Sequence, residues 1–446
     1  MRNLYLCLFF PVYLSTLIAE ENILEDTSIK ETFILKTMSN GTYPNAPYAN
    51  VLLESKTSKD TYDVDLGLVV HKGYSDTYAT INQMSLSYLG EQYEFKIGNY
   101  VNTLGKMDYL STTNLINPTN IEFFDDENIN IRKIPILMSQ ISYYPNDTWK
   151  LEAIVQPFNS NYQDYTNTYI NIILNTLLPQ YINSLTQDSA TKEILNQYIF
   201  VPTYDNYISP ALANDINNNY TRSSDINIDK LGGFLVAEFT GESATIGGVW
   251  MNRYSEIPLI RVNEDVVNIL QDLENDQSAT TDLTEYAQGE DLGVVNGVDT
   301  YRYNQYSLYY ESTIDRFGIR AESSFRDKVP VVNAYSWLSS FGFGIDYKSK
   351  YIYSNLEMQW LHLDYKNQNL YAGIYSAKSE AFNIINAKLY LDYYLLFGYY
   401  NKVFELTNYP NLTLEYEDYS LAFQYLYSKE NEKLNNLSLV LKASFE

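Results

Sequence analysis

From residue 84 onward the chain alternates. Met84, Leu86 and Tyr88 are apolar and Gln83, Ser85 and Ser87 between them are polar, the two-residue period of a strand whose faces meet different surroundings. After Gly90 the pattern resumes with Tyr93, Phe95 and Ile97 against Gln92, Glu94 and Lys96, which predicts a hairpin with a tight turn. Residues 136–144 and 149–156 form a second hairpin around Pro145-Asn146-Asp147. Residues 51–58 with 62–70, and 232–241 with 244–254, give two more, the latter joined by a two-residue turn. From Tyr301 the alternation becomes regular: Tyr306, Leu308 and Tyr310, then Phe317, Ile319 and Ala321, then Phe341, Phe343 and Ile345, then Leu356, Met358 and Trp360 each mark one face. Residues 437–445 read as a last strand. Residues 20–36 are a lead-in or first strand, and between 370 and 419 the pattern places no turns.

The predicted turns at Gly90, Pro145, Gly241, Ile314 and Ser349 are all short, and the connections between them are expected to be longer. Short turns at one end and long loops at the other, with bulky apolar residues on one face of nearly every strand, fit a closed barrel with lipid outside and water inside. A soluble antiparallel sheet also alternates, but one soluble core does not call for rings and aliphatics on the same face of so many strands. The expected fold is therefore all-β: a transmembrane antiparallel β-barrel with an even strand number, about 14–18 strands and about 16 at the centre of that range, carrying long, partly helical loops.

Within residues 78–157 a set of short motifs recurs in a fixed order: Gly105-Lys106-Met107-Asp108, Asn117-Pro118, Arg132-Lys133-Ile134-Pro135, Tyr143-Tyr144-Pro145 and Gln156-Pro157. These resemble the most regular segment of a family of bacterial outer-membrane β-barrels catalogued as a domain of unknown function, near the porin and polysaccharide-export barrels. Where that family carries Gly-Arg-Gln before the loop and an aromatic before the Gly-Lys pair, this chain has Gly98-Asn99-Tyr100 and Leu104. The resemblance implies location and architecture, the family's chemistry being unassigned.

Composition agrees. The chain holds 45 tyrosines among 446 residues, and a ring with an apolar body and a polar tip suits the boundary of a bilayer. Arg2, an apolar run over residues 4–18 and Ala19 read as a secretory signal peptide over residues 1–19, leaving residues 20–446 as a single barrel domain. The sole cysteine, Cys7, lies in that leader, so the mature chain is expected to carry no thiol chemistry. The net charge of −25 disfavours nucleic acid, whose binding needs a basic face. It is expected to keep long loops solvated.

Three large loops are expected, at residues 101–135, 158–231 and 255–300. Helical spacing appears at 169–185, 192–200 and 262–273, and the acids of the third loop lack a calcium-loop spacing. His71 and His362 lack partners for a zinc site. His362 with a nearby serine is the one candidate for an embedded hydrolase, and a lone histidine at a strand rim is more often an interface residue. No catalytic residue, metal site or cofactor is expected, and the chain is read as a non-enzyme.

If the apolar sets face lipid, Glu94, Lys96, Lys150, Glu152, Arg320, Glu322, Asp346 and Glu357 project inward as a mixed-charge wall, and Lys106, Asp108, Arg132 and Lys133 fold into the mouth as a constriction or brace the loop at its base. The expected function is a porin-like channel in the outer membrane of a Gram-negative bacterium that passes small polar solutes. The expected partners are outer-membrane lipid, lipopolysaccharide and the outer-membrane assembly machinery. The alternative is a closed surface barrel that binds partners through acidic extracellular loops.

Overall fold

The computed structural model describes residues 27–38, 48–59, 61–72, 77–114, 116–117, 133, 135–158, 227–255, 259–262, 295–299, 301–331, 334–379, 381–384, 387–400, 403–428 and 436–445. The leader, the helical segments expected in the loops and most of the three large loops lie outside them, as does Arg132.

The first strands are β1 (Thr27–Met38), β2 (Tyr48–Lys59), β3 (Tyr62–Lys72), β4 (Thr77–Leu89), β5 (Tyr93–Tyr100), β6 (Ile136–Asn146) and β7 (Trp149–Phe158). Next come β8 (Asn227–Thr240), β9 (Ala244–Tyr254), the short pair β10 (Leu259–Val262) and β11 (Val295–Asp299), β12 (Arg302–Ile314), β13 (Phe317–Val331) and β14 (Ala334–Lys348). The last are β15 (Ile352–Leu363), β16 (Gln368–Ser379), the three-residue β17 (Phe382–Ile384), β18 (Ala387–Tyr400), β19 (Val403–Tyr416), β20 (Tyr419–Ser428) and β21 (Asn436–Phe445). A 3₁₀ turn, Tyr365–Asn367, joins β15 to β16.

Consecutive strands pair antiparallel, with β9 passing to β12 and β16 to β18. β10 and β11 form their own two-stranded sheet, and β17 is a short flap on β18. The remaining eighteen of the strands in the nineteen-stranded sheet each have two neighbours, because β1 pairs with β2 on one side and with β21 on the other, from Glu31 opposite Phe445 to Met38 opposite Ser438. That pairing leaves no unpaired edge to face hydrocarbon. Eighteen is even and inside the expected range, two above its centre. The residues that offered too little pattern near the N-terminus form β1, and the stretch without locatable turns is β16 to β20, joined by short connections.

The alternation sets the faces. Phe95 is 43% and Leu308 64% exposed, while Phe343 is half-buried on the same face. Their neighbours Ser307, Glu322 and Glu357 are buried. Tyr62–Tyr88, Tyr93–Tyr143, Trp149–Phe239 and Phe317–Tyr347 place aromatic pairs across neighbouring strands on the exposed face near the short turns, as an interfacial girdle requires. Among the described residues no helix is long and apolar enough to cross a membrane.

Two expectations are corrected. Connections at the end opposite the short turns are not uniformly long, since residues 332–333 and 401–402 alone separate β13 from β14 and β18 from β19. Nor is the inner face polar throughout. On β6 to β9 it holds Ile136, Met138, Ile154, Phe234, Val236, Val249 and Met251, all buried in one cluster with Leu104 and Ile116. Strands covered on both sides read as continuous apolar runs rather than alternation, and here the inner cover is the chain between β5 and β6.

Candidate functional site

The connection after β5 turns into the ring. Gly105 adopts φ +85°, a left-handed conformation that only glycine takes without strain. A Cβ there would lie 2.4 Å from Glu322 Oε1. The next residues wrap around two carboxylates from the far wall. Glu322 on β13 accepts N–H bonds from Lys106 (2.7 Å), Met107 (2.9 Å), Thr112 (2.8 Å) and Thr113 (3.1 Å), and the Ser111 hydroxyl donates at 2.7 Å. Glu357 on β15 accepts from the N–H groups of Asp108 (2.9 Å), Tyr109 (3.0 Å) and Leu110 (2.9 Å). Seven backbone donors with no strand partner are thereby satisfied by two ions, and each buried carboxylate has its charge met by converging dipoles.

Wall side chains fix the rest of the loop. Gln305 and Gln359 donate to the carbonyls of Thr112 (3.0 Å) and Leu110 (3.4 Å), and Arg253 donates to that of Ile116 (3.4 Å). Tyr109 meets Tyr394 of β18 edge-on, with ring centroids 6.3 Å apart. A Cβ on Gly342 would sit 2.6 Å from Met107 Sδ, so the loop passes directly over β14 at that point. At its base Asn117 closes the loop, accepting the Asn102 N–H (2.8 Å) and donating to the Tyr100 carbonyl (3.1 Å).

A Gly105→Ala variant tests the turn. It combines a left-handed penalty of about 1–2 kcal/mol with a clash at Glu322, and the expected outcome is faster limited proteolysis between residues 105 and 113 with the barrel intact.

The inward charges read from the sequence divide into groups. Glu94 accepts from the Tyr144 hydroxyl at 3.1 Å, and Lys96 pairs with Asp65 at 3.3 Å. Lys150 pairs with Glu152, which is buried and also accepts from Gln140 and Ser142. Arg320 is ringed by Asp108, Glu311 (3.4 Å), Asp346 (3.0 Å) and Glu357 (4.0 Å). Of the loop residues singled out, Lys106 reaches Glu238 (3.1 Å) and Glu311 (4.0 Å), and Asp108 reaches Arg320. Lys133 instead donates to the Asn117 carbonyl (3.4 Å), at the loop base.

Sequence reading missed Glu238, Glu311, Gln305 and Arg253, which lie on inward positions of β8, β12 and β9 but follow no motif. The doubled apolar runs Phe234–Val236 and Val249–Met251 were the available signal that something covers those strands from inside. His362 lies on the outer face of β15 between Trp337 (5.2 Å) and Trp360 (5.9 Å), with Nδ1 3.1 Å from Asn369 Oδ1. His71 lies within β3. Among the described residues no cluster of histidine, cysteine and acidic side chains has metal-site geometry.

Solved outer-membrane proteins are among the structures similar to this chain. OccK3 (OpdO) of Pseudomonas aeruginosa matches over 95% of this chain and 97% of its own, at 10% identity and a TM-score of 0.50. By fold, the chain is an outer-membrane β-barrel. Wzi of Escherichia coli, described as a carbohydrate-binding β-barrel involved in capsule assembly, matches over 97% of this chain and 87% of its own at 10% identity and a TM-score of 0.47. The outer-membrane channel DcaP of Acinetobacter baumannii matches over 94% and 97% at 10% identity, with a TM-score of 0.40. No family model matches the sequence, and no curated protein matches it. The resemblance to outer-membrane barrels therefore holds for the fold, and the motif-level kinship within residues 78–157 has no family match behind it.

Proposed function

We propose that this barrel is a diffusion channel of the outer membrane of a Gram-negative bacterium, passing small polar solutes through a bore narrowed by the loop after β5. Residues 1–19 direct export, and residues 20–446 make the one barrel domain. The observation that carries the reading is the docking of the loop. Its backbone donors close on Glu322 and Glu357 across the ring, which lays the loop along the inner wall from β6 to β18 instead of outward into solvent. A ring of about this strand number leaves an aqueous interior unless something fills it, and a loop held against the wall narrows the passage.

In this reading Glu94, Lys96, Lys150, Arg320 and Asp346 line the bore, the buried Glu152 and the two anchoring glutamates add their charge from within the wall, and Lys106 and Asp108 stand at its narrowest part. Lys133 braces the loop base. The solutes are small and polar, and the membrane around the barrel supplies lipid and lipopolysaccharide contacts. The barrel is no enzyme in this account. Purified protein refolded into planar bilayers is expected to give discrete, reproducible conductance steps. A heat-modifiable, folded barrel that passes no current at any voltage would instead favour the closed surface barrel, working through its acidic extracellular loops.

A further inference from the structure

We infer that the narrowed passage is cation-selective, admitting small cations in preference to anions of the same size; this rests on the channel reading above. At the loop tip, residues 106–113, the cations are Lys106 and Arg320. The carboxylates that meet the tip or these two cations are Asp108, Glu238, Glu311, Glu322, Asp346 and Glu357. Acids outnumber bases three to one there, in a wall of low dielectric where fixed charge acts with little attenuation.

The order of the charges sharpens the point. Asp108 and Glu311 side chains are 45% and 38% exposed, whereas Lys106 is 24% and Arg320 15% exposed. These two carboxylates stand towards the water with the guanidinium behind them, while Glu322 and Glu357 are buried under the loop. The other loop-bound cations, Arg253 and Lys133, are directed at the carbonyls of Ile116 and Asn117 at the base.

A second observation is independent of the charge count. Asn355 is 2% exposed. Its amide nitrogen donates to Asp108 (3.3 Å) and Glu357 (3.2 Å), while its carbonyl oxygen has no hydrogen-bond donor. Asp346 lies directly opposite it across the β14–β15 ladder. The wall behind the loop tip thus holds a buried oxygen acceptor without a donor, Asn355 Oδ1, beside a buried donor without a hydrogen-bond acceptor, Arg320 Nε, which lies 3.4 Å from the Glu311 carboxylate. Added to the excess of carboxylates, an acceptor left without a donor makes the field at the loop tip more favourable to a cation than to an anion of the same size.

The test is the zero-current potential across a planar bilayer holding the full chain in a potassium chloride gradient. The expected result is a potassium to chloride permeability ratio severalfold above one. It should fall as salt is raised from about 0.1 M to about 1 M, because the screening length shrinks from about 10 Å to about 3 Å. Glu311→Lys, checked for folding by heat modifiability, should bring the ratio to one or below, and Glu311→Gln should lie between. A conducting wild-type barrel with a ratio at or below one overturns this inference while leaving the channel reading intact. Absence of any current sinks both, and a ratio indifferent to Glu311→Lys refutes the assignment of selectivity to the loop tip.

Discussion

Replacing Glu322 and Glu357 together by alanine is expected to raise single-channel conductance severalfold over the wild type and to make the current noisy. The two side chains accept seven backbone N–H bonds from residues 106–113. Each hydrogen bond to a charged group is worth about 1.5–3 kcal/mol, and a donor left buried without a partner costs about 1–3 kcal/mol. Several such donors are orphaned at once in the double variant, which exceeds what the remaining contacts, Lys106 to Glu238 and Gln305 to Thr112, hold in place. The loop then leaves the wall and hydrates. Glutamine at either position keeps the shape but turns an NH₂ towards N–H donors, so each single glutamine variant should be intermediate. Conductance in planar bilayers and protease sensitivity at residues 105–113 report the same event. Unchanged values in the double variant would show that the apolar cluster around Leu104 and Ile116 holds the loop without the carboxylates.

The second large effect concerns the outer face. Leu308, midway along β12 and 64% exposed, points at hydrocarbon. Leu308→Arg is expected to destabilise the barrel in vesicles by about 2–4 kcal/mol, the cost of a cation near the bilayer midplane of a barrel wall. Thr413→Lys, on the inner face of β19 between the outward Leu412 and Leu414, should cost less than about 1 kcal/mol because the ammonium stays in water. Urea titrations in vesicles compare the two directly. Equal effects would mean that the exposed apolar band does not face lipid.

The strands were legible because a strand's two faces are written two residues apart. The hairpins at Gly90, Pro145, Gly241, Ile314 and Ser349 lie where alternation breaks at small or polar turn residues. Legibility failed where that code is overwritten. β18, Ala387–Tyr400, carries tyrosine and leucine on neighbouring positions, so no parity stands out, and its connection to β19 has too few residues to announce a turn. On β6 to β9 both faces are apolar because the loop covers the inner one. Glu322 and Glu357 were legible as inward-facing, but not as anchors. Their partners lie 209 and 249 residues away in the chain at the extremes, and nothing local to either end encodes the other.

By itself the sequence determined that the chain is a two-sided antiparallel sheet, which side of each regular strand is greasy, and where most of the tight turns fall, since these follow from nearest-neighbour sterics and the pleat. The tertiary structure alone decided that β1 meets β21, that eighteen strands make the ring, and which of 55 acidic residues hold the loop inside it. Ring closure and loop docking are contacts between distant segments, set by the number and tilt of all the strands together, and a local pattern of polar and apolar residues carries no record of that geometry.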